Sequence, residues 1–248
     1  MDAVPELSRG EPSAIQNMSH AQVISRNKRI AGHVWPRFSP LVDKLNWNRR
    51  WIDSVQGSDA PRFAHRDDLH RFVRNRLNIG QGAVDYLEFG VYRGATIKMW
   101  SDEDRHPESR FVGFDSFEGL PEDWSGTMPK GTFTTFGQLP DIADPRVRFV
   151  VGWFQKTLPG FLREFSKRPN CPLVIHNDCD LYSSTLYCLT SLDPILEPGT
   201  IIIFDEFDDV LHEFRALTDY CQAFMRGWRI IGAVHGFCQV AVEIVREN

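Results

Sequence analysis

The chain has 248 residues, of which 42% are apolar and 25% charged, with a net charge of −5. That length holds one large domain or two small ones around a substantial core, and the composition excludes a disordered or fibrous chain. The acidic balance speaks against a nucleic-acid partner, and no uncharged apolar run approaches the ~20 residues of a membrane span.

Residues 1–20 mix Ser, Pro, Glu, Gly and Asn without periodicity. They read as a mobile tail and lack the apolar stretch of a signal peptide. Residues 21–83 read as a helical extension or cap, with helices expected near 39–56 and 66–79. These helices are candidates for a pocket cover and for a homo-oligomer contact. From residue 84 the texture changes to short apolar runs separated by helical or loop stretches. The runs are VDYLEFG (84–90), RFVGFD (110–115), VRFVVG (147–152), PLVIHND (172–178) and GTIIIFDE (199–206). Such runs suit parallel strands buried on both faces. WRIIGAVH (228–235) and CQVAVEIV (238–245), separated only by Gly236 and Phe237, predict an antiparallel hairpin. Residues 84–248 are therefore expected to form a doubly wound α/β domain ending in a hairpin. The five cysteines contain no C-x-x-C pair, so a reducing cytoplasm is the expected compartment.

In such a sheet, ligands bind beyond the carboxyl ends of the strands. The first strand runs into Glu88-Phe89-Gly90-Val91-Tyr92-Arg93-Gly94-Ala95-Thr96. Gly90 and Gly94 permit a tight turn with close backbone approach to a ligand, and a helix starting near Gly94–Thr96 offers its amides to a carboxylate. Asp115 ends the next strand, where an acid commonly binds two ribose hydroxyls. The dinucleotide pattern G-x-G-x-x-G is absent, because Tyr92 and Arg93 occupy its inner positions. The spacing E-x-G-x-x-x-G instead resembles motif I of class I S-adenosylmethionine (SAM) methyltransferases.

The fourth and fifth runs end in acids. One reads His176-Asn177-Asp178-Cys179-Asp180, the other Asp205-Glu206-Phe207-Asp208-Asp209. Neighbouring buried strands would crowd these carboxylates into one crevice, where like charges repel unless a cation offsets them. A hard divalent ion such as Mg²⁺ suits oxygen donors. Asp178, Asp205 and Glu206 are the first candidates, with Asp180 as a fourth ligand or a supporting group. Helix capping is the alternative for Asp180 and Asp208. His176, one alternation before Asp178, fits either a base near the site or an ordinary buried histidine.

VGFDSFEGLPEDW (112–124), VGWFQKTLP (151–159), IHNDCDLYSST (175–185) and PGTIIIFDEF (198–207) resemble the macrocin/mycinamicin O-methyltransferase family. Members of that family use SAM to methylate sugar hydroxyls of natural products. The glycine turn also resembles that of catechol O-methyltransferase. The resemblance implies that Glu88, Gly90, Tyr92 and Thr96 hold the amino-acid moiety of SAM. It places Asp115 on the ribose, with Ser116, Phe117 and Trp153 near the adenine. It implies a divalent metal on Asp178, Asp205 and Glu206. Two departures stand out. Glu206 replaces the second Asp of the family's usual pair, and Leu181 stands where the catechol enzymes carry a catalytic Lys.

The expected reaction is methyl transfer to a hydroxyl of a small-molecule acceptor, with Asp178, Asp180 or His176 taking the proton. A phenol or catechol methyltransferase and a SAM-binding protein without activity are the rival readings. The Gly- and Thr-rich stretch 119–140 is expected to cover the pocket as a mobile lid, or to be an irregular surface loop. The charge is also uneven. Residues 169–213 contain nine acids and no Lys or Arg, whereas residues 1–83 carry 13 basic and 8 acidic residues.

Overall fold

The structure is a computed structural model that describes residues 35–78 and 82–246; the predicted tail, 1–20, lies outside the described residues. The described residues fall into two units, 35–46 and 47–246. Helix α1 (Trp35–Gln56) contains Pro40, and its residues from Trp47 onward belong to the second unit. There Trp47 is buried and meets Phe214 edge-on, with ring centroids 6.1 Å apart.

The second unit is built on one eight-stranded sheet. In chain order its elements are β1 (Arg62–Phe63), α2 (Arg66–Arg76), β2 (Asp85–Phe89), α3 (Ala95–Glu103), β3 (Arg110–Asp115) and β4 (Val147–Val151). There follow α4 (Phe154–Glu164), β5 (Leu173–Asn177), α5 (Tyr182–Leu192), β6 (Ile201–Phe204), α6 (Glu213–Phe224), β7 (Arg226–Val234) and β8 (Val240–Arg246). The spatial order is β1-β7-β8-β6-β5-β2-β3-β4. Pairing is parallel except at β8, which runs antiparallel to both neighbours. The sheet is thus doubly wound with a terminal hairpin, as the apolar runs predict.

Strands β2, β5 and β6 are buried at every position. Their sequences show no polar face because both sides of the sheet are covered. Leu87, Phe89 and Ile175 enter one apolar cluster, and Tyr86, Val174 and Ile203 enter another. That alternation sends successive side chains to opposite faces.

Residues 21–83 are not purely helical. Arg62 and Phe63 pair in parallel with Ala233 and Val234 as an edge strand. Two residues carry no period-2 signal, so the pattern could not announce them. Helix α2 follows directly, burying Leu69 and Val73, one turn apart, in the second cluster. No helix among the described residues is long and apolar enough to cross a membrane.

At the amino end of β2, far along the strand from its ligand-facing end, Asp85 is fully buried. Arg110 grips it with two nitrogens at 2.6 Å, and Arg168 adds a third contact at 2.5 Å. Burial alone would raise the Asp85 pKa, but these hydrogen bonds outweigh it and hold the pKa below the usual carboxylate value. The pair's contribution is therefore complete above about pH 4 and is lost as pH falls through the depressed folded value. Asp85→Asn is expected to cost about 2–3 kcal/mol at pH 7, less than for a wholly buried pair, because both guanidiniums keep some access to water. Urea titrations at pH 7 and pH 3 should show the difference between the proteins shrinking at the lower pH. An equal difference at both values refutes the assignment.

Candidate active site

The sheet reverses its winding at β2: β3 lies on one side and β5 on the other. A crevice opens there, beyond the carboxyl ends of the strands. The chain leaves β2 through a turn with positive φ at Gly90 (+89°), Tyr92 (+50°) and Gly94 (+75°). A Cβ on Gly90 would stand 1.7 Å from the carbonyl oxygen of Asp178, so only glycine lets the two backbones pass. Gly94 is the left-handed residue preceding α3, and a Cβ there would strike Pro140 at 2.7 Å. Asp115 holds the turn in shape. Its Oδ2 accepts the amides of Val91 and Tyr92, each at 2.8 Å, and its Oδ1 accepts the amide of Phe117 at 2.7 Å.

The two acid clusters meet, as the adjacency of β5 and β6 requires. Side-chain ligand atoms of His176, Asp178 and Asp205 lie within 4.8 Å of one another. So do those of Asp178, Asp180 and Glu206, and Asp178 belongs to both groups. Asp180 does not cap a helix: α5 starts after Leu181 with no side-chain cap, and Asp180 itself adopts φ +60°. Asp208 does not precede its helix either, because α6 begins at Glu213 behind His212.

Crowding and burial set the electrostatics. Burial and the charge of Asp205 push Asp178 up to about 8, and the same two causes, with Asp115, push Asp180 up to about 7. Burial and Glu213 push Glu206 up to about 11. His176 is the compensating group. It is fully buried, with Nδ1 at 3.3 Å from Glu88 Oε2 and Nε2 at 3.6 Å from Asp205 Oδ1. Burial would lower its pKa, but the two carboxylates outweigh it and raise it to about 10. Asp205 is correspondingly held down near 2: its own burial is overcome by His176 and Arg66.

A cavity of about 260 Å³ lies between the glycine turn and the acids. Of the residues singled out in the sequence, Gly90, Tyr92, Asp115, Ser116 and Trp153 form part of its wall. Asp178, Asp180, Asp205 and Glu206 form another part. The others stand behind. Glu88 is 1% exposed and accepts the Tyr86 hydroxyl at 2.6 Å as well as His176. Phe117 packs inward, edge-on against Phe149. Thr96 accepts a hydrogen bond from Arg66 at 2.8 Å. Gly119, Leu120, Pro121 and Phe133 close a further side of the cavity. This part of the predicted lid is stitched down: the Leu120 amide donates to the Thr132 carbonyl, the Gly131 amide donates to the Leu120 carbonyl, and the Trp124 indole donates to Asp209 Oδ2 at 3.1 Å.

Three contributors were not visible in the pattern. Glu213, completely buried, accepts Asn177 Nδ2 at 2.8 Å and the Glu206 amide at 2.9 Å, so it ties the two acidic strand ends together. Helix α2 sends in Arg66, 3.3 Å from Asp205 Oδ2, and His70, whose Nδ1 accepts the Trp100 indole at 2.9 Å. His70 also stands edge-on to His176, with ring centroids 5.1 Å apart.

Buried side-chain atoms without a hydrogen-bond partner collect here: His176 Nε2, Asp205 Oδ1 and Glu206 Oε2. Unpaired polar atoms in a dry site are costly and call for a partner. His176 Nε2 and Asp205 Oδ1 face each other as an ion pair at 3.6 Å, whereas the unpartnered Glu206 Oε2 and the neighbouring carboxylates make an oxygen-rich set that fits a hard divalent cation.

Residues 87–207 match a family described as a methyltransferase domain. The chain is 32% identical over 196 residues to the 8-demethyl-8-(2,3-dimethoxy-alpha-L-rhamnosyl)-tetracenomycin-C 4'-O-methyltransferase of Streptomyces olivaceus, covering 64% of this chain and 70% of that one. It is 27% identical over 201 residues to the mycinamicin III 3''-O-methyltransferase of Micromonospora griseorubida, covering 64% and 73%. The calicheamicin methyltransferase CalS11 shares the fold, with a TM-score of 0.53 and 22% identity over 82% of this chain and 92% of that one. The motifs at 112–124 and 175–185, the doubly wound sheet and these relatives agree, and the chain belongs to the macrocin/mycinamicin-type O-methyltransferase family of class I SAM-dependent methyltransferases.

Proposed function

We propose that this O-methyltransferase moves the methyl group of SAM to a sugar hydroxyl of a natural product, and that it does so with a divalent cation held by its acids. The carrying observation is the convergence of Asp178, Asp180, Asp205 and Glu206 on one cavity, with an orphaned buried oxygen on Glu206. The name of the tetracenomycin relative specifies a substrate that carries a rhamnosyl group.

The methionine end of SAM is assigned to the glycine turn and the first turn of α3, at Gly90, Tyr92 and Thr96. Ribose goes to Asp115, whose oxygens keep lone pairs beyond their three amide bonds. Adenine goes to Ser116 and Trp153. Glu88 and Phe117 support these groups from beneath. The cation is assigned to Asp178 with Asp205 and Glu206, whose ligand atoms lie in two groups that meet at Asp178. When bound, such an ion supplies Lewis acidity that lowers the pKa of an acceptor hydroxyl.

Asp180 is assigned the proton. It is 8% exposed and lines the cavity, and its pKa near 7 suits a base at neutral pH. His176 is protonated and lies beneath the wall, so it orients Asp205 instead of accepting a proton. The remaining work is alignment of sulfonium, methyl and oxygen in one line, which a rigid wall provides.

The test is a turnover assay with sugar and phenol acceptors, with EDTA and with Mg²⁺ restored. Sugars methylated in a reaction that EDTA stops and Mg²⁺ restores are expected. Turnover indifferent to EDTA overturns the cation; preference for phenols overturns the sugar.

A further inference from the structure

The cavity wall contains five acids, Asp115, Asp178, Asp180, Asp205 and Glu206, and no Lys or Arg side chain. Yet SAM brings a carboxylate of its own at the methionine end. A carboxylate arriving at an acid-lined site is stabilised by a cation close by. Arg66 is placed to supply it. It opens helix α2, and its guanidinium forks between two elements of the site. Nη2 donates to Thr96 Oγ1, in the first turn of α3, at 2.8 Å, and Nη1 meets Asp205 Oδ2 at 3.3 Å. The side chain remains 38% exposed and, like Thr96, stands just behind the cavity wall, which it meets at Asp205. A guanidinium has five N–H donors in a plane, a geometry that takes a carboxylate two bonds at a time.

We propose that Arg66, together with the Thr96 hydroxyl it already binds, receives the α-carboxylate of SAM. The ion pair with Asp205 holds the fork in position for that task. The proposal rests on assigning the methionine end to the first turn of α3, and it is independent of acceptor and cation. A second cation near the turn is the rival. Arg93 lies over the Tyr92 ring at 5.0 Å, but it is exposed and has no contact with Thr96 among the described interactions.

The test uses two ligands that differ by the amino-acid group. S-adenosylhomocysteine carries the carboxylate; 5'-methylthioadenosine lacks it. Calorimetry on the full chain measures both against wild type, Arg66→Ala, Arg66→Lys and Arg93→Ala. Arg66→Ala is expected to weaken S-adenosylhomocysteine roughly 10–100-fold, the range for a hydrogen bond to a charged group. Its affinity for 5'-methylthioadenosine should stay within about twofold, which also certifies that the variant is folded. Arg66→Lys should recover part of the loss, and Arg93→Ala should change neither ligand. An equal loss for both ligands would reduce Arg66 to a structural role and overturn the proposal. So would an unchanged affinity for S-adenosylhomocysteine, or a selective loss in Arg93→Ala. A wild type that binds neither ligand overturns the proposal and the cofactor assignment beneath it together. None of these outcomes touches the sugar or cation readings, which the acceptor assay tests separately.

Discussion

Asp178→Asn is expected to lower kcat by about 10³-fold while leaving the apo fold as stable as wild type or more so. The two halves of this result come from the same crowding. Asp178 is the carboxylate shared by both groups of converging ligand atoms, so a neutral amide there weakens any cation site that either group could form. Loss of Lewis-acid stabilisation is worth several kcal/mol, and about 4 kcal/mol corresponds to a factor of 10³. Asparagine keeps the shape of the side chain, so the wall stays closed. Without a cation, burial and Asp205 already hold the Asp178 pKa up near 8, so at pH 7 the amide replaces a mostly protonated acid at little cost, and at higher pH it relieves repulsion. Thermal melts in EDTA, Mg²⁺ calorimetry and single-turnover rates separate these effects. Retention of more than a tenth of the rate, or a melting temperature several degrees lower in EDTA, would sink this account of Asp178.

Gly90→Ala has the larger structural effect. Its added methyl would lie 1.7 Å from a backbone carbonyl oxygen, which cannot rotate away as a side-chain tip could. The φ of +89° adds its own penalty for any residue with a Cβ. Overpacking and a forced left-handed backbone together cost about 4 kcal/mol. In a chain of this size that lowers Tm by roughly 10 °C. Binding of S-adenosylhomocysteine should fall as well, because relieving the clash moves either the glycine turn or the peptide of Asp178. A variant that melts within two or three degrees of wild type and binds normally would contradict the close packing of these two segments.

The parts of the fold legible in the sequence are those where burial is symmetrical. LVIHN and IIIF announce themselves because both faces of the sheet are covered, so no polar position interrupts them. The terminal hairpin was legible from the two-residue gap between long apolar runs. Arg62–Phe63 was not, because a strand of two residues pairs by position alone. The site divides along a similar line. Residues on strand ends could be located because the strand order brings their carboxyl ends together. Arg66 and His70 could not, because their approach depends on where α2 packs, 30 residues away in the chain from Thr96 and Trp100. Glu213 looked like one more acid of an acidic stretch; its burial between Asn177 and Glu206 is a matter of three-dimensional packing. Asp115 was legible as an acid at a strand end, but its three bonds to backbone amides, which brace the turn, leave no trace in residue spacing.

The all-acid wall of the cavity bears on turnover as well as on binding. SAM enters as a sulfonium cation and leaves, after donating its methyl, as an uncharged thioether. With no Lys or Arg in the wall and Asp205 held ionised, the carboxyl oxygens leave the surroundings electronegative. Such a field favours the charged donor and gives the spent one no comparable hold. On the SAM assignment proposed above, such a lining would favour the charged donor over the spent one and so promote their exchange at the end of each cycle.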